Sequence, residues 1–227
     1  MINNIKIRQA ILSDIPEILN VEKSAWGAEL AATEEMFKSR INTFSEGTLV
    51  SIENNKITGV VVTQLVNYDI NNFSLNWYQA TDNGYIKNTH NNKGKVVYGV
   101  NLSVMPHATQ GTGTALLEEI GKLVIKLNLK YGMLGGRIPD YHKYKNIPVN
   151  EYIKKTIMID NKKRLLDKEL NFYNKAGLNI IKVIPGYMND IDSLNYGVLL
   201  VWKNPFYYIV KIFPFLKNIF IKFFKLN

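Results

Sequence analysis

The stretch with the most chemical potential runs Val104-Met105-Pro106-His107-Ala108-Thr109-Gln110-Gly111-Thr112-Gly113-Thr114-Ala115-Leu116-Leu117. It leaves an apolar strand, passes through glycines and small residues, and enters a long pattern of apolar residues at helical spacing. A strand-to-helix junction of this kind gathers unpaired backbone N–H groups and the positive end of a helix at one spot, which suits an anion such as pyrophosphate. Glycines let phosphates approach the main chain, and Thr112 and Thr114 add hydroxyl donors without bulk. A tight turn that binds nothing would use the same residues. Neither G-x-x-x-x-G-K-[ST] nor G-x-G-x-x-G is present, which excludes the triphosphatase and dinucleotide loops. The chain has no cysteine, so disulfides, thiolate zinc sites and a thiol nucleophile are excluded. His90 and His107 are too isolated to argue a metal site, and no metal is expected.

The loop resembles the coenzyme A loop of the GNAT superfamily of N-acetyltransferases, whose pattern is Q/R-x-x-G-x-G/A. Gln110, Gly113 and Ala115 match it, with Val104 and Pro106 at the end of the preceding strand. The order of elements over residues 5 to 202 is similar to that family's as well. The resemblance implies acetyl-CoA as cosubstrate, wedged between a strand ending at Val104 and its neighbour at Gly132 to Ile138. Backbone groups of Leu102, Ser103 and Val104 would bond the pantetheine arm and the acetyl carbonyl. N–H groups from Gln110, Gly111, Thr112, Gly113, Thr114 and Ala115 would hold the pyrophosphate. Asn171 to Leu178 resembles the family's late Y-x-x-x-G-F element, which makes Tyr173 either the phenol that protonates the departing thiolate or a tyrosine packed on the sheet. Leu166 stands where the family usually has Asn. The segments Arg137 to Tyr144, Glu151-Tyr152 and Pro185 to Asp190 resemble the acetyltransferase domain that some bacterial proteins fuse to a carbon–nitrogen hydrolase; no hydrolase is expected in this chain.

Transfer of acetyl to an amine needs the amine deprotonated, the thioester carbonyl polarised and the leaving thiolate protonated. Histidine as a residue type can act as a base near neutral pH, and His142 lies just past the second strand of the pair, so it is a candidate base. It serves equally as a loop histidine bonded to Asp140 or to a carbonyl, and a water relay would need no dedicated base. Arg137, Asp140 and Tyr141 are candidates for the acceptor pocket, with Asp190 and Asp192 beside them or acting as turn residues.

The elements that must hold these groups follow from periodicity. Ile5 to Arg8 alternates as a strand, and Ser13-Asp14-Ile15-Pro16-Glu17 opens a helix, capped by Ser13 or Asp14 and closed at Trp26-Gly27. Ile15, Ile18, Leu19 and Glu22 form its inward stripe. A short helix is predicted from Glu34 to Ile41. Strands at Thr48 to Glu53 and Ile57 to Val66 flank Asn54-Asn55-Lys56, a hairpin signal because Asn tolerates positive φ. Lys95 to Val104 is predicted as a strand, Gly111 to Leu129 as a helix and Gly132 to Ile138 as a strand. Helices follow at Asn150 to Met158 and Leu165 to Lys175, then strands at Asn179 to Pro185 and Leu194 to Trp202. The central strand–helix–strand unit implies parallel neighbours. The expected fold is α/β: a mixed, mostly antiparallel twisted sheet with a central parallel, splayed strand pair flanked by helices. Asn67 to Gly94 is long for a loop; Trp77, Tyr78, Asp82, Tyr85 and His90 make it a lid over the acceptor or a solvated insertion.

With 227 residues, 46% of them hydrophobic, the chain can bury one core; residues 1 to 204 read as one domain and 205 to 227 as a basic amphipathic tail. The net charge is +9, and the five lysines from Lys203 onward, with no acid among them, account for more than half of it. The body is therefore only mildly basic, and no nucleic-acid partner is expected. The N-terminus lacks the apolar run of a signal peptide, so the expectation is cytoplasmic. The tail pairs lysines with Ile and Phe, and no apolar run reaches the length of a membrane span. It would lie on an anionic membrane surface at its inner face, or pack on the body or across a homodimer. The functional expectation is transfer of acetyl from acetyl-CoA to a primary amine of a small molecule or peptide. The rival readings are a catalytically silent CoA- or partner-binding member of the fold, and a membrane-surface adaptor acting through the tail.

Overall fold

The computed structural model describes residues 5 to 226. Seven strands form one sheet in the order β1-β2-β3-β4-β5-β9-β8: β1 (Lys6–Gln9), β2 (Thr48–Glu53), β3 (Lys56–Val66), β4 (Val96–Val104), β5 (Tyr131–Arg137), β8 (Asn179–Ile184) and β9 (Gly197–Lys203). Every neighbouring pair is antiparallel except β4 and β5, which run parallel, as the central strand–helix–strand unit requires. Helices α1 (Ile15–Leu30) and α2 (Glu34–Thr43), with the 67–94 segment, share one core with Val60, Val62, Tyr98, Met133 and Leu199. On the opposite face, α4 (Thr112–Lys126) buries Leu116, Ile120 and Val124 against Val61, Leu65 and Val97. Beside it α6 (Lys168–Lys175) buries Leu170 against Val198 and Leu200.

The parallel pairing is short. It runs from Val96 opposite Tyr131 to Gly99 opposite Leu134 and stops there. At the same place the β3–β4 register slips, Val62 pairing with Asn101 and Thr63 with Gly99, so that Val100 is an extra residue in the ladder. Such a bulge bends its strand and re-aims the downstream residues. Past Val100, β4 keeps β3 as partner through Val104 while β5 pairs on to Arg137 with β9 alone. The two central strands therefore diverge into a gap.

Most elements follow the expected pattern, with informative departures. Asn54 and Asn55 turn the β2–β3 hairpin with φ of 50° and 61°. Asp14 stands at the N-cap of α1, but its carboxylate turns away to the Ile11 N–H (2.8 Å) and the Arg8 guanidinium (2.6 and 2.8 Å). Trp26-Gly27 does not close α1: Gly27, at φ 73°, kinks it, and the helix continues to Leu30. The helix expected over 150 to 158 is confined to α5 (Val149–Tyr152), and a two-stranded hairpin follows, β6 (Thr156–Ile159) and β7 (Lys162–Leu165). Its turn residues Asp160 and Asn161 take φ of 52° and 58°, the same device as Asn54-Asn55. Helix α6 begins at Lys168, not Leu165, because Asp167 caps it by accepting from the Leu170 N–H at 3.0 Å. Strand β9 starts at Gly197; Leu194 and Asn195 sit at φ 49° and 62° in the turn before it.

The 67–94 segment is core, not a solvated insertion. It carries α3 (Trp77–Thr81) and buries Phe73, Ala80 and Ile86. Gln64 Nε2 donates to the Ala80 carbonyl at 2.6 Å, and the Trp77 N–H to the Tyr187 carbonyl at 2.7 Å. The tail forms α7 (Tyr207–Ile212) and α8 (Lys217–Phe223). Phe206 stacks on Phe220 with centroids 4.3 Å apart, Phe224 packs edge-on to Trp202 at 5.5 Å, and Lys225 reaches Glu118 at 3.1 Å. One face of the tail is thus bound to the body. Among the described residues no helix is long and apolar enough to cross a membrane.

Candidate functional site

A cavity of about 900 Å³ passes through the sheet where β4 and β5 part. Gln110, Gly111, Thr112 and Gly113 line one mouth, Leu102, Val104, Gly135 and Arg137 the middle, and Glu22, Trp26, Arg40 and Trp77 the far side. The strand divergence makes the passage, and Gly135 in its wall leaves room for the Tyr187 ring, which occupies the space that a side chain there would need.

At the first mouth Gly111 adopts φ 101° as N-cap of α4, a conformation that disfavours any residue with a Cβ. Glu53 holds the loop from beneath. Its carboxylate accepts from Thr58 Oγ1 (2.7 Å), Thr112 Oγ1 (2.9 Å), the Thr109 N–H (3.1 Å) and Thr109 Oγ1. Burial pushes the Glu53 carboxyl up, but the Thr109, Thr58 and Thr112 donors together hold it below its ordinary value. The Thr112 hydroxyl expected to meet a phosphate is therefore engaged in supporting the loop. The Thr112 N–H donates to the Thr109 carbonyl and the Ala115 N–H to the Gly111 carbonyl. The first-turn N–H groups of Gly113 and Thr114 have no intrahelical acceptor. Of the six loop residues singled out from the sequence, Gln110, Gly111, Thr112 and Gly113 line the cavity, while Thr114 and Ala115 lie just inside the first turn.

In the middle, Val104, Ser103 and Leu102 pair with Gly59, Val60 and Val61 on one edge and lie beyond the last β5 partner on the other. The Val100 carbonyl accepts from Trp77 Nε1 at 3.0 Å. Ser103, buried, donates to Glu22, and its hydroxyl accepts from Trp26 Nε1 at 2.6 Å. Asn101 Nδ2 donates to the same Glu22 oxygen at 2.7 Å, and the Ala32 N–H to the other at 3.3 Å. This cluster ties α1 to the free part of β4.

Tyr173, half-buried on α6, lines the cavity and packs its ring against Gly136 of β5. Burial, with Glu169 and Tyr187 nearby, pushes its phenol well above the ordinary value, so it stays protonated. Glu169, one turn earlier, also lines the cavity, and its carboxyl is pushed up to about 7 by burial, against the pull of Arg137. Arg137 lies in the cavity wall with its guanidinium 4.9 Å from the Trp26 ring centroid, held by Asp190 through 2.7 and 2.9 Å bonds.

The other acceptor-side candidates are not in the cavity wall. His142 sits outside it, with Nδ1 against the Pro139 and Asp192 carbonyls at 2.9 and 3.1 Å. Asp140 pairs with Lys143 at 2.5 Å. Tyr141 is buried, donates to the Ile147 carbonyl at 2.9 Å and packs against Tyr152. Of the 67–94 aromatics, Trp77 and Tyr78 line the cavity, whereas His90 accepts from the Leu65 N–H at 3.2 Å. Glu22, Trp26, Arg40 and Glu169 were not singled out by sequence reasoning. Glu22 did carry a signal, a carboxylate on the otherwise apolar stripe of α1.

A sheet split between parallel strands, with a glycine-rich helix start at one mouth, defines the class of fold. No family model matches the chain. It is 35% identical over 207 residues to the uncharacterized N-acetyltransferase YkwB of Bacillus subtilis, covering 88% of this chain and 89% of that one. It is 30% identical over 201 residues to the probable hydrolase YhcX of the same organism, covering 87% of this chain and 38% of that protein. The loading GNATL domain of CurA from Lyngbya majuscula superposes with a TM-score of 0.77 at 22% identity, covering 89% of this chain and 98% of that one. The GNAT-like decarboxylase GphF, solved with isobutyryl-CoA, gives 0.72 at 22%, covering 88% and 99%. The chain belongs to the GNAT superfamily of N-acetyltransferases.

Proposed function

We propose that this protein moves an acetyl group from acetyl-CoA to a primary amine by direct attack. The observation that carries this reading is the through-sheet cavity, which opens at the start of α4 on one side and at buried polar groups on the other. The residues fit the coenzyme in character. N–H groups of Gly113 and Thr114 and the positive end of α4 suit the pyrophosphate, and the free edge of Leu102, Ser103 and Val104 suits the pantetheine amides and the acetyl carbonyl. The GphF domain, of similar fold, was solved with a CoA thioester.

In the reaction the amine nitrogen attacks the thioester carbonyl carbon, and main-chain N–H on the β4 edge stabilises the developing oxyanion. The C–S bond breaks and the thiolate takes the Tyr173 phenolic proton, while the proton lost by the amine goes to Glu169. A carboxyl that titrates near 7 is matched to that task at neutral pH. Glu169 takes the place that the sequence offered to His142. The experiment is thiol release from acetyl-CoA across a panel of amines, with N-acetylated product confirmed by mass. Release with one or more amines supports the reading; tight CoA binding with no release from any amine would favour a silent member of the fold.

A second surface supports a membrane contact for the tail. Ile212, Phe215 and Phe223 are 69%, 74% and 71% exposed beside Lys211, Lys217 and Lys222, with no acid in the tail. This outward face is suited to an anionic lipid surface at the inner side of a membrane, while the inward face holds the tail on α4.

A further inference from the structure

The far side of the cavity holds a charge that the acetyl-transfer chemistry does not use. Arg40, on α2, is only 1% exposed yet lines the cavity. Its Nε donates to the Gly84 carbonyl at 2.7 Å, and its guanidinium lies 4.7 Å from the Phe37 ring centroid. Nη1 is buried and has no hydrogen-bond partner. No carboxylate forms an ion pair with Arg40 among the described residues. Burial lowers its pKa to about 10, with Glu22 holding it up through space. A buried cation with an empty donor is costly to keep unless something pairs with it. The packing around it is close: at Gly84, φ 87°, a Cβ would stand 2.7 Å from Trp77 Cη2 and 3.0 Å from Arg40 Nη2. Glycine there lets the indole and the guanidinium come together at the cavity wall.

On the same side of the cavity lies the buried carboxylate of Glu22, held by Ser103, Asn101 and the Ala32 N–H. A cation and an anion on one acceptor side, with Met36, Trp77 and Tyr78 also in the lining, complement a ligand that carries an ammonium and a carboxylate. We propose that Arg40 binds the carboxylate of the acceptor, so that the amine acetylated here belongs to an amino acid or a similar small aminocarboxylate. This inference rests on the acetyltransferase reading for its chemistry, but the pocket itself can be tested without turnover.

The test uses the full chain saturated with CoA, titrated calorimetrically with product-like matched pairs: N-acetylglycine against its amide, N-acetylphenylalanine against its amide, and N-acetyllysine against its amide. Trp77 fluorescence serves as a second readout beside Arg40. The expected result is that at least one acid binds ten or more times tighter than its amide. Arg40→Gln should bring that pair within about threefold, Arg40→Lys should keep part of the preference, and CoA affinity should be unchanged in both. Acids and amides binding alike, no pair binding at all, or full preference retained in the variants would overturn the proposal. If Arg40→Gln fails to fold, the wild-type pairs and Arg40→Lys still decide. Thiol release separates the two readings. Equal release with phenylalanine and phenethylamine would leave acetyl transfer standing and sink the role of Arg40. Acid-selective binding without release from any amine would do the reverse.

Discussion

Replacing Glu169 with Gln removes a cavity carboxyl that burial lifts to about 7. Its pKa of about 7 arises from burial, with Asp167, Asp190 and Asp140 adding to the rise and Arg137 opposing it. If this carboxylate accepts the amine proton, only about a tenth of the enzyme is in the active form at pH 6. Wild-type kcat/KM should then climb about tenfold per pH unit from pH 5 and level off near 7. Glu169→Gln should lose that slope and lower the plateau by about 10²- to 10⁴-fold, the usual contribution of a positioned base. The same substitution has a stability signature of opposite sign. A carboxyl whose pKa is raised on folding from 4.5 to about 7 loses stability as pH climbs through that window, and the full cost is present above 7. The ceiling is about 3 kcal/mol, and partial exposure reduces it to about 1 kcal/mol. Glu169→Gln should therefore melt higher than wild type at pH 8 and no higher at pH 4. The assays are thiol release across pH and thermal unfolding at the two pH values. A variant that keeps both the rate and the slope would refute the assignment of the base.

If the phenol protonates the leaving thiolate as proposed, Tyr173→Phe should lower kcat by about 10²-fold while leaving the KM for acetyl-CoA nearly unchanged; steady-state kinetics with varied acetyl-CoA checks it. Gly121→Val should destabilise by about 1 to 3 kcal/mol, because the Phe224 ring occupies the space that a side chain at 121 would fill, and thermal melting reads the loss. Phe215→Ser with Ile212→Ser should reduce sedimentation with phosphatidylserine vesicles several-fold and leave CoA binding intact. Deleting the whole tail is a poorer test, since it would strip buried Phe224 from the core and Leu226 from the cavity wall.

What could be read from the sequence divides along the range of the interactions. The glycine loop was legible because its chemistry is local: a strand, small residues and a helix start within a dozen positions. The Asn54-Asn55 hairpin was legible for the same reason, yet the Asp160-Asn161 turn lies between two expected helices that take in Thr156 to Met158 and Leu165 of its strands. Thr156 to Leu165 mixes short apolar runs with lysines that fit either period, and no long partner strand arbitrates. Gly27 was read as a stop because glycine marks helix ends, but here its positive φ only bends α1 before Leu30. The far side of the cavity was the least legible. Arg40 becomes significant only because the chain returns at Gly84, and His142 is held outside the cavity wall with Nδ1 against the Asp192 carbonyl, fifty residues away. Neither relation leaves a trace in local spacing.

The most direct test of the whole account is calorimetry of the folded protein with CoA, beside Gly113→Val. A Cβ at 113 would stand 3.2 Å from Phe172 Cζ and 3.7 Å from Val104 Cγ2, so a branched side chain crowds the mouth proposed for the diphosphate. Wild type should give saturable one-site heat, and the variant should lose at least tenfold in affinity at unchanged helical content. No heat with the wild-type protein, or equal affinity in the two, would contradict it.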